Sequence, residues 1–177
     1  MFLSPLSEGK STLVPVPLTR FRAPVGRPRN VKINGLAPEV SKADSAAKEN
    51  GLRYENKVQR FLNECFDARY IPNPRIEFRD DLGPRVCFPD GILLAPDRLV
   101  IFEIKIGHMP EAWWQLKRLY EPVLREWRGT PSQVVEVVKS YDPAVPFPVG
   151  IELIDNLQEW VKDETKMDSF GVFVWKP

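Results

Sequence analysis

The residues best suited to chemistry lie on two neighbouring apolar segments in the middle of the chain. Asp90 stands between a proline and a glycine, and Glu103 and Lys105 alternate with apolar residues thirteen and fifteen positions later. Side chains alternate along a strand with period two, so Glu103 and Lys105 share one face. Two carboxylates and a lysine can together hold a hard divalent cation and stabilise negative charge that develops during a reaction.

The two segments predict a β-hairpin. Residues 86–94 and 99–106 are rich in aliphatic and aromatic residues, and residues 95–98 have the sequence Ala-Pro-Asp-Arg, which suits a tight turn. A four-residue turn there fixes the register and places Asp90 directly opposite Glu103. Their Cβ atoms are then expected to be about 4.5–5.5 Å apart.

Facing carboxylates repel each other, so the hairpin contains a local conflict. The apolar sequence around Glu103 predicts a strand covered on both faces, where unpaired charges are costly. A cation between Asp90 and Glu103, with Lys105 beside it, resolves the conflict. Two carboxylates, a backbone carbonyl and waters suit Mg²⁺ or Mn²⁺ better than Zn²⁺. Pro89 and Gly91 are expected to interrupt regular strand pairing and to direct the Asp90 side chain.

The pattern Pro89-Asp90, twelve intervening residues, then Glu103-Ile104-Lys105 resembles the signature of the PD-(D/E)XK nuclease superfamily. The resemblance covers residues 46–139. It implies a metal-dependent phosphodiesterase in which Asp90, Glu103 and the Ile104 carbonyl bind Mg²⁺ or Mn²⁺. Lys105 is then expected to orient the attacking water and to stabilise developing negative charge.

Three further positions are similar to residues of the superfamily. Some members carry a first-helix glutamate that reaches the metal, and Glu55 lies on the predicted inner stripe of that helix here. RecB-like members carry a Gln and a Tyr on the helix after the motif, which Gln115 and Tyr120 resemble. The usual spacing has three intervening residues and this chain has four, so the resemblance supports Gln115 and leaves Tyr120 in question.

Hydrophobic periodicity predicts the elements that position these residues. A helix is expected from Ala46 to Phe66, and a second is expected from Pro110 with a kink or break at Pro122, which lacks the N–H that a helix needs. Further strands are predicted at residues 75–79, 134–138 and 171–175, and a further helix at residues 153–161. The order is that of an α/β, restriction-endonuclease-like fold: a mixed sheet flanked by helices, with an αβββαβ core.

Residues 1–44 differ in composition from the rest of the chain. They hold seven basic and three acidic residues, six prolines and no sustained periodicity. This pattern predicts an extended or flexible basic arm that contacts DNA phosphates, followed by a nuclease-like domain at residues 45–177.

Composition excludes several classes of protein. Hydrophobic residues make up 43% and charged residues 28%, which argues against a disordered chain, and no apolar run is long enough to span a membrane. The two cysteines have no partner at metal-ligand spacing and are interpreted as thiols in a reducing compartment, which predicts a cytoplasmic protein. DNA is the predicted partner, with a homodimer as a possible assembly.

Alternative interpretations remain at this point. The main one is a non-catalytic DNA-binding or assembly protein that retains the nuclease fold, and a second is a metal-dependent hydrolase of small phosphate esters. His108, the only histidine, is interpreted as a loop or helix-cap residue. Trp113 and Trp114 have the chemistry to stack on bases, but adjacent helical residues point about 100° apart, so at least one is expected in the core.

Overall fold

The computed structural model describes residues 22–38, 45–145 and 150–177, which form an α/β fold with two sheets. The smaller sheet is antiparallel, in the order β1 (Arg29–Leu36), β3 (Pro74–Asp80) and β4 (Gly83–Cys87). The larger sheet is mixed and has the order β2 (Tyr70–Pro72), β5 (Gly91–Leu94), β6 (Leu99–Gly107), β7 (Ser132–Ser140), β9 (Phe170–Val174) and β8 (Ile151–Ile154). Its first three strands pair antiparallel, and β6, β7, β9 and β8 run parallel.

Helix α1 (Ala46–Phe66) covers one face of the larger sheet and confirms the predicted bounds. The Ser45 hydroxyl caps it by accepting the Lys48 N–H, which satisfies one of the unpaired donors of the first turn. A buried stripe at four-residue spacing packs against Phe102 and Ile104 of β6, together with the short helix α4 (Leu157–Lys162). The stripe consists of Tyr54, Val58, Leu62 and Phe66.

The opposite face of the sheet is covered by the helical region after β6. This region comprises α2 (Pro110–Trp113), a π-helical segment (Trp114–Tyr120) and α3 (Glu121–Arg128). The predicted kink or break at Pro122 is not a break, because the helical region continues through it and changes from a π-helical to an α-helical turn just before it. The Glu121 N–H bonds to the Leu116 carbonyl, five residues back, and Pro122 then lies in the first turn of α3, where a missing N–H is tolerated.

The hairpin register agrees with the prediction. Gly91 pairs with Phe102 and Leu94 with Leu99, and the Ala95 N–H donates to the Arg98 carbonyl at 3.1 Å across the turn. Asp90 directly precedes the first paired residue of β5.

The predicted strand at residues 86–94 is wrong, because two strands of different sheets occupy this range. β4 ends at Cys87 and pairs with β3, whereas β5 begins at Gly91 and pairs with β6. Pro89, between them, has no N–H to donate to a ladder, so regular pairing stops there.

The predicted helix at residues 153–161 is also wrong in its first half. Ile151–Ile154 forms the edge strand β8, and the helix begins only after Asn156, whose side chain accepts the Glu159 N–H. Leu153, Leu157 and Trp160 match a helical period by coincidence, since Leu153 is an exposed strand residue.

Part of the predicted arm belongs to the fold. Residues 29–36 form β1, which pairs with β3, and the Val25 N–H donates to the buried carboxylate of Asp80 at 3.0 Å. Residues 1–21 and 39–44 of the predicted arm lie outside the described residues. Among the helices that the structure describes, none is long and apolar enough to cross a membrane.

Candidate active site

Asp90 is held in place by contacts from α1, from β6 and from Asn73, which lies between β2 and β3. Its carbonyl accepts the Asn73 N–H at 2.8 Å and the Gln59 amide of α1 at 2.6 Å. Its carboxylate oxygen Oδ2 accepts the Ile104 N–H at 2.6 Å. The last residue pair of the hairpin is Gly91–Phe102, and beyond it the Asp90 carboxylate, not a strand backbone, accepts the N–H of β6. Regular strand pairing is therefore interrupted here, as Pro89 and Gly91 predict.

Gly91 is required by the close approach of a tyrosine. A Cβ atom at this position would lie 2.2 Å from the Tyr70 hydroxyl oxygen, well inside van der Waals contact. That hydroxyl donates to the Gln59 side-chain oxygen at 2.5 Å. Gln59, Tyr70 and Gly91 thus fix the backbone from which the Asp90 side chain projects.

Glu103 and Lys105 lie on the face of β6 that is directed towards the π-helical segment. The Glu103 side chain is 2% exposed, and its Oε1 atom forms an ion pair with the Lys105 ammonium, which is 25% exposed. The other oxygen, Oε2, is buried and has no hydrogen-bond partner in the described part of the chain. A buried carboxylate oxygen without a donor is costly, and a cation is one ligand that would satisfy it.

The Ile104 carbonyl points to the same side of β6 as the Asp90 carboxylate. In an antiparallel pair the N–H and C=O of one residue point towards the same neighbour, and the Ile104 N–H is directed at Asp90. The β5 ladder ends at Phe102, so it provides no partner for this carbonyl. A third oxygen ligand is therefore available beside the two carboxylates.

Burial and mutual repulsion disfavour negative charge in this cluster. Burial, followed by the charge of Asp90, raises the pKa of Glu103 to about 8, and burial also raises the pKa of Asp90 against the opposing effect of Lys105. Burial alone lowers the pKa of Lys105, but Glu103, Asp90 and Glu136 outweigh it, so the pKa is raised and the ammonium stays charged.

Glu55 of α1 belongs to the same electrostatic cluster. It is half-buried, and burial, with the charge of Asp90 adding to it, raises the pKa of Glu55 to about 7, while Lys105 has the opposite effect. The structure thus brings the predicted first-helix glutamate close enough to interact with Asp90, Glu103 and Lys105.

The π-helical segment brings Gln115 and Tyr120 together. The Gln115 amide is 3.4 Å from the Tyr120 hydroxyl, which donates to the Phe88 carbonyl at 3.0 Å, two residues before Asp90. An α-helix places residues four apart on one face, and the wider turn here places residues five apart in contact. The wider π-helical turn therefore compensates for the extra residue between Gln115 and Tyr120. The buried Gln115 Oε1 has no partner among the described residues.

Glu136 and His108 form a buried pair next to this cluster that the sequence interpretation missed. Glu136 of β7 is in register with Glu103 of β6, and its carboxylate contacts His108 Nδ1 at 2.6 Å and accepts the Met109 N–H at 3.0 Å. Burial raises the pKa of Glu136 to about 8 and lowers that of His108 to about 4, so burial favours the neutral form of both side chains. The interpretation of His108 as a loop residue after β6 agrees with its place in the chain, but its ring is buried.

The donor set suits a hard cation with a largely aqueous shell. Within the described residues no group of three or more His, Cys, Asp or Glu side chains is arranged to hold a metal ion. Asp90, Glu103 and the Ile104 carbonyl offer only oxygen ligands, and Mg²⁺ commonly takes one or two carboxylates and keeps several waters. The unpartnered Glu103 oxygen fits this kind of ligand.

Comparisons with protein-family models, with curated proteins and with solved structures find no match for this chain.

Proposed function

We propose that this protein is a Mg²⁺- or Mn²⁺-dependent nuclease that hydrolyses DNA phosphodiester bonds. The observation that carries the proposal is the convergence of Asp90, Glu103 and Lys105 at the open end of the hairpin, with a buried Glu103 oxygen that lacks a partner. DNA as the substrate follows from the resemblance of these residues to the PD-(D/E)XK signature.

The arrangement of elements supports a restriction-endonuclease-like fold. Five strands follow α1 instead of the three of an αβββαβ core, and the last two, β5 and β6, form the antiparallel hairpin that precedes α2–α3 and the parallel strand β7. Both helical regions pack against the sheet from opposite faces.

Each residue has a role that its environment supports. Asp90, Glu103 and the Ile104 carbonyl would hold the cation, which polarises the scissile phosphate and lowers the pKa of its bound water. Lys105, kept charged by the surrounding carboxylates, orients the attacking water and stabilises negative charge on the phosphoryl oxygens. Glu55 and Gln115 lie on the two helices that flank the cluster and are available for contacts with ordered water or substrate.

A non-catalytic protein with the same fold is the second candidate. The observation that favours it is that Glu103 already contacts the Lys105 ammonium and that Asp90 already accepts a backbone N–H, so the cluster is partly satisfied without a cation. Such a protein would bind DNA without cleaving it.

A cleavage assay distinguishes the two candidates. The purified chain is incubated with Mg²⁺, Mn²⁺ or EDTA and with linear, circular, single-stranded and branched DNA, and the products are separated by gel electrophoresis. We expect cleavage of at least one substrate with Mg²⁺ or Mn²⁺ and none in EDTA. Binding without cleavage across the whole panel would contradict the nuclease and support the second candidate.

A further inference from the structure

An exposed indole lies on the outer side of the helical segment whose inner side lines the candidate site. Trp114 is 48% exposed, whereas its neighbour Gln115 is buried. Trp113 is half-buried and packs edge-on against Trp114, with ring centroids 5.1 Å apart and planes at 89°. The core therefore anchors one ring and the protein presents the other to solvent.

Arg118 adds a positive charge to this surface. One turn beyond Trp114, its guanidinium carbon lies 5.4 Å from the Trp114 ring centroid and 5.5 Å from that of Trp113. Arg118 is exposed and forms no ion pair among the described residues, whereas the adjacent Lys117 pairs with Glu121 at 2.5 Å. An aromatic face and an unneutralised cation thus occur together.

Hydrogen bonds connect the helical segment that carries this surface to the residues next to the candidate site. Gln115 follows Trp114 and contacts Tyr120, which bonds to the Phe88 carbonyl just before the Pro89-Asp90 motif. Trp114 and the contacts that reach the candidate site therefore belong to one helical segment, on its outer and inner sides respectively.

We propose that Trp114 and Arg118 form a stacking surface for an unpaired nucleotide base, and that the substrate is a DNA strand with unpaired bases next to the scissile bond. This inference rests on the proposed function. Every base offers a π-face, so such a surface tolerates any sequence, and Arg118 supplies charge for the adjoining phosphate. Bases inside a duplex are stacked on their neighbours and present only their edges, so they do not use an exposed indole in this way.

Binding to strands with and without bases tests the proposal. Fluorescence anisotropy in EDTA, which prevents metal-dependent cleavage, measures the affinity of the full chain for a labelled single strand and for an abasic strand of the same length. We expect Trp114→Ala to bind the normal strand at least about fivefold more weakly and the abasic strand unchanged. Trp114→Phe, which retains a ring, should keep most of the affinity.

Two further variants separate stacking from charge and from surface hydrophobicity. Arg118→Gln should weaken binding to both strands, because it removes a charge that acts on phosphate. Leu153→Ala truncates another exposed apolar side chain, on the edge strand β8, and should bind like the wild type. Trp114 is exposed, so its replacement should leave the fold intact, as circular dichroism verifies.

The outcomes distinguish this inference from the proposed function. If Trp114→Ala binds both strands as the wild type does while metal-dependent cleavage persists, the stacking surface is refuted and the nuclease assignment stands. If the wild type binds neither strand and cleaves no DNA with Mg²⁺ or Mn²⁺, both are refuted.

Discussion

The candidate site brings three carboxyl groups together with one ammonium group. Asp90, Glu103 and Glu55 interact with one another around a single ammonium, that of Lys105, and each of the three carboxyl groups has a raised pKa. A fold that gathers carboxylates in this way loses stability unless a cation binds, a conflict typical of functional sites.

Asp90→Asn tests this conflict at nearly constant side-chain volume. The asparagine oxygen can still accept the Ile104 N–H, so the change removes charge and preserves the contact. We expect the variant to melt a few degrees above the wild type in EDTA and to lose metal-dependent cleavage. Asp155→Asn, at an exposed position, should melt like the wild type. A lower melting temperature for Asp90→Asn would show that the carboxylates do not oppose each other.

The pH dependence of stability gives a second test, of Glu103. Its pKa rises from an ordinary value of 4.5 to about 8 on folding, so the folded protein retains a proton that the unfolded chain releases. The resulting stability is fully present below pH 4.5 and is lost as pH rises through about 8. The pKa values of Glu136 and Glu55 are also raised on folding, so these two residues likewise lower the stability of the folded protein as pH rises.

We therefore expect the melting temperature in EDTA to fall between pH 6.5 and 8. His108 opposes this trend in part, because at its ordinary pKa of 6.5 the unfolded chain still holds about half a proton on it, and the opposition fades as pH rises towards 8. Glu103→Gln should flatten the curve but not abolish its slope. Parallel curves for the wild type and the variant would show that Glu103 does not hold the proton.

The hairpin register followed from the sequence because the turn at residues 95–98 determines which residues are opposite each other. That register brings Asp90 next to β6, where its carboxylate accepts the Ile104 N–H. Gln59 and Tyr70 were missed because the hydrogen bonds from Gln59 to Asp90 and from Tyr70 to Gln59 join residues of different elements. Glu136 did carry a signal, as the one charged residue inside the run Val134-Val135-Glu136-Val137-Val138, which a buried strand does not normally tolerate.

Among the elements, the π-helical segment matters most to the site. Counting residues along an ideal α-helix puts Tyr120 on a different face from Gln115, yet the wider turn brings them into contact. Sequence periodicity assumes a constant number of residues per turn, so it does not anticipate such a local change.

Tyr120→Phe tests whether this element positions the site. The change removes the hydrogen bond to the Phe88 carbonyl and should cost about 1–3 kcal/mol of stability. Tyr54→Phe is a matched control, because the Tyr54 hydroxyl also donates to a backbone carbonyl, that of Trp175, at 3.0 Å. We expect similar losses in denaturant unfolding, and a reduced cleavage rate for Tyr120→Phe alone. Equal cleavage by the two variants would limit Tyr120 to a structural role.

Elements with local signals were predicted better than those that depend on distant pairing. The α1 bounds follow from its stripe and cap, and the hairpin follows from its turn. The separation of β4 from β5, and the strand β1, depend on pairing with β3, which lies far from β1 in sequence. Periodicity within a segment contains no information about which sheet the segment joins.

For the whole molecule, the main revision concerns the N-terminal segment. β1 pairs with β3, the Arg27 guanidinium forms an ion pair with Glu126 at 2.8 Å, and Arg29 pairs with Asp81. At least two of the basic residues assigned to DNA binding therefore interact with carboxylates of the same chain, and a role of the segment in DNA binding stays a prediction.

Two truncations distinguish a structural role of this segment from a peripheral one. A chain that begins at residue 22 retains every contact that the structure describes, whereas one that begins at residue 39 lacks β1 and exposes the edge of β3. We expect the first to melt like the full chain and the second to melt several degrees lower. Equal melting temperatures would show that β1 contributes little to the fold.

The rate of metal-dependent DNA cleavage by three single variants tests the roles proposed for Asp90, Glu103 and Lys105 most directly. Asp90→Ala, Glu103→Ala and Lys105→Ala are compared with the wild type and with Asp155→Ala at saturating Mg²⁺, after circular dichroism shows that each is folded. We expect each of the three variants to lose at least about a hundredfold in rate and Asp155→Ala to keep the wild-type rate. Near wild-type cleavage by any one of the three would contradict the proposed role of that residue.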